Sequence, residues 1–337
     1  MIKKSLALLL CIGMILGLGF CEKNVTYQTT YLDLFDTVTT FSAVFPSQQS
    51  FDEAAKKVHQ QLKYYHQLFD IYHTYDGMSN LKTINDNAGI KPVKVDRTLM
   101  DLLIFSKEVY KQTDGKVNIA MGSVLSVWHS YRDEGTRIPE ASLLESAAQY
   151  TKIDNLIIDT AAGTVYITEK RTALDVGSVA KGYACKLIME YAKRLGVQSG
   201  IVNLGGNVGV IGEKKKNQPY RIGIEDPDQT KDYLFTLGVK DTSVVTSGDY
   251  QRFYTVDGVR YCHIIDPSTL YPARYYKSVS VVCSDSALAD ALSTYLFITD
   301  YETGKKMIEN QKNCEAVWVL GEGNYRYSSG FEKMILQ

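Results

Sequence analysis

The chain has 337 residues, of which 45% are hydrophobic, 22% charged and 11% aromatic, proportions that exclude a disordered or collagen-like polymer. Its 37 basic and 38 acidic side chains leave a net charge of −1. With no long basic run, no nucleic-acid partner is expected, because phosphate binding needs clustered Lys and Arg.

Lys3 and Lys4 precede a stretch, Leu6 to Phe20, that has no charged residue. That order fits a secretory signal and is short for a spanning helix, which needs about 20 apolar residues. Leu18-Gly19-Phe20-Cys21 resembles a bacterial lipobox, in which the cysteine becomes a lipidated N-terminus, although Phe20 stands where a small residue is usual. Residues 1–21 are therefore expected to be a signal with a lipobox, and residues 22–337 the working domain, anchored on the outer side of the cytoplasmic membrane. A plain cleaved signal or an uncleaved anchor would leave the domain on the same side.

Residues 52–69 carry apolar groups at helical spacing, with Asp52 suited to an N-terminus, and 97–112 form a second helical segment. Residues 156–168 predict a hairpin around an Ala-Gly turn, and 179–195 a helix stopped by Gly196. Strand-like runs follow at 200–204, 220–224, 234–239 and 243–246. A hairpin over 252–265 turns at Asp257-Gly258, and a strand over 277–283 precedes a helix over 286–298. The first half reads as more helical and the second as antiparallel, with no Pro/Gly/Ser-rich linker between them. The expected class is α+β, not a doubly wound parallel fold. Cys185, Cys262, Cys283 and Cys314 show no CxxC and no Cys/His ligand spacing, so a structural zinc is not expected. Buried thiols are expected instead, although export permits disulfides.

Four segments carry polar groups in arrangements that suit chemistry. Leu174 to Ala184 (LDVGSVAKGYA) runs through a glycine turn into a helix. It gathers Asp175, Ser178 and Lys181 at a helix N-terminus, where backbone N–H groups favour anions; a structural turn capped by Ser178 would use the same residues. Asn203-Leu204-Gly205-Gly206-Asn207 reads most simply as a bulge. His263 lies near the end of a hairpin strand, where the rim of a site often falls, and Asp266-Pro267 signals a turn. Asp290 and Thr294, spaced i and i+4, present two oxygens on one helix face. Such oxygens suit a hard cation such as Mg²⁺, and equally suit an exposed helix surface.

Taken in order, these segments resemble the ApbE family, the FAD:protein FMN transferases. The resemblance runs from about Phe35 to about Val319. It rests on Phe35-Asp36-Thr37, SNLKTIN at 79–85, Thr113-Asp114-Gly115, Trp128, LDVGSVAKGYA, NLGGN, IGIEDP, TSGDY, HIIDP and ADALSTYLF. It implies an α+β fold with FAD, the substrate, in one elongated cleft. It implies cofactor contacts from Phe35, Tyr75, Asp175, Lys181 and Ile265, metal ligands Ser178, Asp290 and Thr294 for Mg²⁺, and His263 in the transfer step. Lys116, Val117 and Asn118 occupy further cofactor-contact positions but depart from the family's residues there. Leu270 stands where the family often has glycine, which removes an easy positive φ beside His263.

The implied reaction moves FMN from FAD to a Thr or Ser hydroxyl of an acceptor protein and releases AMP. The acceptor class the resemblance implies is a subunit of a membrane electron-transfer complex. An FAD pyrophosphatase, giving free FMN and AMP, and a non-catalytic flavin-binding lipoprotein are the alternatives.

Overall fold

A computed structural model describes residues 25–336; the expected signal, the lipobox and Cys21 lie outside them. The first described element is a hairpin, Val25–Leu34 paired with Thr37–Phe45. Its two-residue turn, Phe35-Asp36, holds φ values of 53° and 50° without a glycine. This hairpin starts an eight-stranded antiparallel sheet. Across the sheet follow Gly200–Leu204, Asn207–Ile211, Ser243–Gly248, Ser278–Cys283, Cys314–Gly321 and Asn324–Tyr327.

Alternation along the strands divides the interior. Val245, Val281 and Ala316 face one core, while Val244, Val282 and Val317 face another, as a period of two requires. The helices Gln48–Phe69, Ala180–Arg194 and Ser286–Phe297 cover the first face. The hairpin Tyr220–Glu225/Tyr233–Val239 packs on the second through Tyr220, Ile222 and Leu237. With both faces covered, all six residues of Ser278–Cys283 are buried, the small polar Ser278 and Ser280 included. A third cluster joins Met121, Val124, Trp128, Leu144 and Ile265. It sits beside the hairpin Phe253–Val256/Val259–Cys262, which turns at Asp257 and Gly258 with φ of 49° and 76°.

The fold is α+β, as expected, and the helices form near the anticipated residues: Arg97–Gln112, Ala180–Arg194 and Ser286–Phe297. Three expectations change. Gly205-Gly206 is a two-residue hairpin turn, with φ of 55° and 91°, rather than a bulge; a Cβ at Gly205 would lie 2.0 Å from Thr37 Oγ1. Cys283 and Cys314 form a disulfide between neighbouring strands, while Cys185 and Cys262 are the buried thiols anticipated for all four. Leu270 takes φ 64° without glycine. Its loop is held by Leu270 N–H donating to Asp266 O at 2.8 Å and by Trp128 Nε1–H donating to Leu270 O at 2.8 Å. The left-handed conformation costs roughly 1–2 kcal/mol for a side chain with a Cβ, an amount those two bonds offset.

Candidate active site

The LDVGSVAKG turn is pinned from behind before it enters its helix. Asn85 donates through Nδ2 to Leu174 O at 2.9 Å and accepts from Leu174 N at 2.8 Å. Asp175 N–H donates to Ile119 O, and the Asp175 carboxylate accepts from Gly177 N at 2.8 Å. Ser178 does not cap the helix, which begins without a side-chain cap; the capping role considered for it is not the one it plays.

The next turn meets the helix that carries Asp290. Gly182 N–H donates to Asp290 Oδ2 at 2.7 Å, and Lys186 Nζ reaches Asp285 Oδ2 at 2.6 Å. Residue 182 faces 290 and residue 186 faces 285, so the two helices run antiparallel. Ser178 lies in the turn that leads into the first helix, and Thr294 lies one turn beyond Asp290 on the second. The structure therefore brings Asp290 directly against the backbone of the segment that carries Ser178 and Lys181.

Asp290 is 4% exposed. Burial raises its carboxyl above the usual range, against the opposing influence of the Lys181 ammonium, the Gly182 N–H and Asn207. Lys181 Nζ donates to Asn207 Oδ1 at 2.6 Å, while Asn207 Nδ2 is buried without a partner. Asn207, the last residue of NLGGN, thus joins the site as the group that orients Lys181. A buried carboxylate with few donors and neighbouring hydroxyls offers oxygen ligands to a hard cation. Among the described residues no three His, Cys, Asp or Glu side chains cluster as a metal site. A cation here would rely on this single carboxylate with hydroxyl or carbonyl oxygens, a set that suits Mg²⁺ and not zinc.

His263 stands on another wall. Its Nδ1 lies 3.2 Å from Arg252 O, and its own N–H donates to the same oxygen at 3.1 Å. A carbonyl only accepts, so Nδ1 carries the proton and Nε2 keeps its lone pair. Burial, then the Arg252, Lys181 and Arg132 cations, push the imidazole down to about 4. The influence of Lys181 links this wall to the Asp290 side. Arg252 Nη2 also donates to Asp36 O at 3.1 Å, which ties the entry to the Phe253–Val256/Val259–Cys262 hairpin to the Phe35-Asp36 turn.

The remaining positions are distributed around these walls. The Phe35 ring meets His66 edge-on at 5.5 Å, and Phe35 N–H donates to His66 Nδ1. Tyr75 O–H donates to Asp70 Oδ2 at 2.7 Å. Burial alone would raise Asp70, but donors from Tyr72, Tyr75 and His73 hold it below the usual carboxylate range. Lys116 Nζ is held by Asp266 and Ser268, Val117 is buried in the core, and the Asn118 side chain bonds Ala120 N and Thr151 O. The side chains of Val117 and Asn118 are thus spent inside the fold. Ile265 is buried against Trp128 in the third cluster.

Sequence inspection did not single out Arg252, Arg132, His129 or Tyr72, and gave Asn207 no role beyond its place in NLGGN. Tyr72 O–H lies 3.5 Å from His129 Nδ1, and Asp175 bears on both. His129 is held below the ordinary histidine range, first by burial. His129 and Arg132 share one helix at i, i+3, but Tyr72 and Arg252 come from distant segments, and no spacing along the chain joins the four.

Oxygen donors at a helix crossing, with cations and a neutral histidine nearby, define a site suited to a phosphate-bearing substrate. The chain belongs to the ApbE family, whose model matches residues 33–318. It is similar to the FAD:protein FMN transferase of Klebsiella pneumoniae, 30% identical over 288 residues, covering 85% of this chain and 88% of that one. The FAD:protein FMN transferase of Treponema pallidum is 33% identical over 269 residues, 75% of this chain and 74% of its own. The crystal structure of the ApbE protein from Thermotoga maritima superimposes with a TM-score of 0.83 at 30% identity, covering 93% of this chain and all of that one.

Proposed function

We propose that this chain is an FAD:protein FMN transferase that moves FMN from FAD to a Thr or Ser hydroxyl of an acceptor protein and releases AMP, with Mg²⁺ as cofactor. The observation that carries the mechanism is the 3.2 Å contact of His263 Nδ1 with Arg252 O; a carbonyl there assigns the proton to Nδ1 and leaves Nε2 to accept one. The acceptor oxygen attacks the phosphorus on the FMN side of the diphosphate. The bond from that phosphorus to the bridging oxygen breaks, and its electron pair leaves on AMP. The hydroxyl proton passes to His263 Nε2. A base of this kind is commonly worth about 10²–10⁴ in rate. An approaching diphosphate raises the His263 pKa, because a nearby negative charge favours the imidazolium.

Lys181, held by Asn207, places a positive charge beside the site. Ser178, Asp290 and Thr294 would hold Mg²⁺, which when bound neutralises phosphate charge. Phe35 and Tyr75 would offer aromatic surface to the flavin or adenine ring. We further infer export and a lipid anchor at Cys21 on the outer side of the cytoplasmic membrane, with an acceptor among the subunits of a membrane electron-transfer complex.

The test mixes protein, FAD and Mg²⁺ with an acceptor domain and looks for flavin fluorescence that survives denaturation. Covalent FMN on a Thr or Ser, with one AMP per flavin, is the expected result. Free FMN with AMP and no adduct would make the chain a pyrophosphatase instead.

A further inference from the structure

Behind the strand end that carries His263 lies a groove that the reaction chemistry does not use. It consists of two depressions of about 550 and 240 Å³ that share Lys277 and Leu320. Its lining includes the carboxylates Asp228, Asp249 and Glu322, of which Asp249 is paired with Arg260 and Lys277. Tyr275 is 53% exposed, Tyr325 43% and Leu320 39%, and Arg274 and Arg326 stand beside them in the lining. Neither arginine has a carboxylate partner among the described residues; they lie over the Tyr261 and Tyr301 rings at 5.1 and 4.8 Å. Exposed tyrosine, and arginine without a carboxylate partner, are residue types enriched at protein-binding hot spots.

Position adds a second argument. Cys262 and Ala273 line the groove, while the adjacent His263 is under the influence of Lys181 and Arg252 in the cleft. One chain segment therefore separates groove from cleft. A partner seated in the groove needs only a loop over that segment to bring a hydroxyl to His263.

We propose that this groove docks the folded acceptor protein, which presents carboxylates to Arg274 and Arg326 and an apolar or aromatic side chain to Tyr275, Leu320 and Tyr325. The proposal rests on the transferase function given above. The groove supplies affinity and orientation for a whole domain, not for the reacting hydroxyl, so its contribution belongs in KM for the protein acceptor.

The experiment compares the wild type with Arg274→Glu/Arg326→Glu, a pair on exposed positions, and with Tyr325→Ala. Two probes are used with FAD and Mg²⁺: the acceptor domain that the wild type labels, and a short peptide centred on its modified hydroxyl. The expected result is a tenfold or greater rise in KM for the domain in the charge-reversed protein. The peptide's kcat/KM and FAD binding should stay within twofold of wild type, and the domain reaction alone should weaken with added salt. Equal KM for the domain in all three proteins would overturn the groove while leaving the transferase intact. Parallel losses on domain and peptide would also overturn it, as a general effect on the site. Absence of labelling by the wild type would overturn both.

Discussion

The Gly182 amide donates to Asp290 Oδ2 across 2.7 Å, and a Cβ added at Gly182 would stand 2.3 Å from Asp290 Cβ and 2.4 Å from Ser286 O. Backbone and carboxylate can meet this way only because residue 182 has no side chain. Gly182→Ala is therefore expected to force the two helices apart. Overpacking of this kind typically costs about 1–3 kcal/mol, so the melting temperature should fall. Asp290 should also move away from the LDVGSVAKG segment, and transfer should drop by more than tenfold. A Gly182→Ala protein with wild-type transfer would show that the helix crossing does not position the site.

Asp290→Asn separates charge from shape. The amide oxygen can still accept the Gly182 N–H, so the fold should persist. Because burial raises the Asp290 carboxyl, its charged form costs stability at neutral pH in the absence of a cation. The sign follows: the folded pKa lies above the unfolded one, so that cost grows as pH rises through the folded pKa. Without Mg²⁺ the Asp290→Asn protein should melt at or above the wild-type temperature. With Mg²⁺ and FAD only the wild type should gain stability, since a ligand of the folded state at a hundredfold its Kd adds about 2.7 kcal/mol. Thermal scans with EDTA or Mg²⁺ decide it, and an equal gain in both proteins would remove Asp290 from the cation site.

His263 predicts an unusual pH profile. With the imidazole held at about 4, it remains a proton acceptor well below pH 6.5. The acid limb of kcat/KM, which reports the free enzyme, should therefore fall near pH 4 to 5. The stability linkage has the same origin. The folded pKa is below the unfolded one, so the neutral histidine's contribution is complete above about 6.5 and is lost as pH falls towards 4. His263→Gln should lose transfer by at least a hundredfold and unfold less steeply on acidification than wild type. An acid limb at 6.5 that survives in His263→Gln would assign it to another group.

Much of this site was legible because its chemistry is local. LDVGSVAKG marks a turn into a helix by its glycines, and Asp290 with Thr294 marks a helix face by spacing. What joins them is Gly182 against Asp290, a packing contact between segments 108 positions apart that no periodicity records. Arg252 was invisible for the same reason: it joins Asp36 O, 216 positions away, to His263. The opening hairpin escaped notice because Phe35-Asp36 takes two positive φ values without the glycine or asparagine that usually signals such a turn. The Cys283–Cys314 pair depends on strand register, Cys283 opposite Cys314, which spacing along the chain cannot supply.

That disulfide gives the last prediction. It closes a segment of sequence separation 31, for which chain entropy alone yields roughly 3–4 kcal/mol. Cys283 ends its strand two residues before Asp285, whose carboxylate caps the Asp290 helix by accepting from Ala287 N and Leu288 N at 2.9 and 3.2 Å. Because that cap and the Lys186–Asp285 pair survive reduction, the helix should keep its place. Cys283→Ser/Cys314→Ser, or the reduced wild type, should melt at a clearly lower temperature yet transfer FMN at the wild-type rate at room temperature. Burial pushes the two free thiols among the described residues up, to about 12 for Cys185 and about 11 for Cys262. Both should therefore resist alkylation in the folded protein, and a melting shift on reduction can be read as loss of this one bond. A transfer rate that falls with reduction while the protein stays folded would show instead that the strand end steers the helix bearing Asp290 and Thr294.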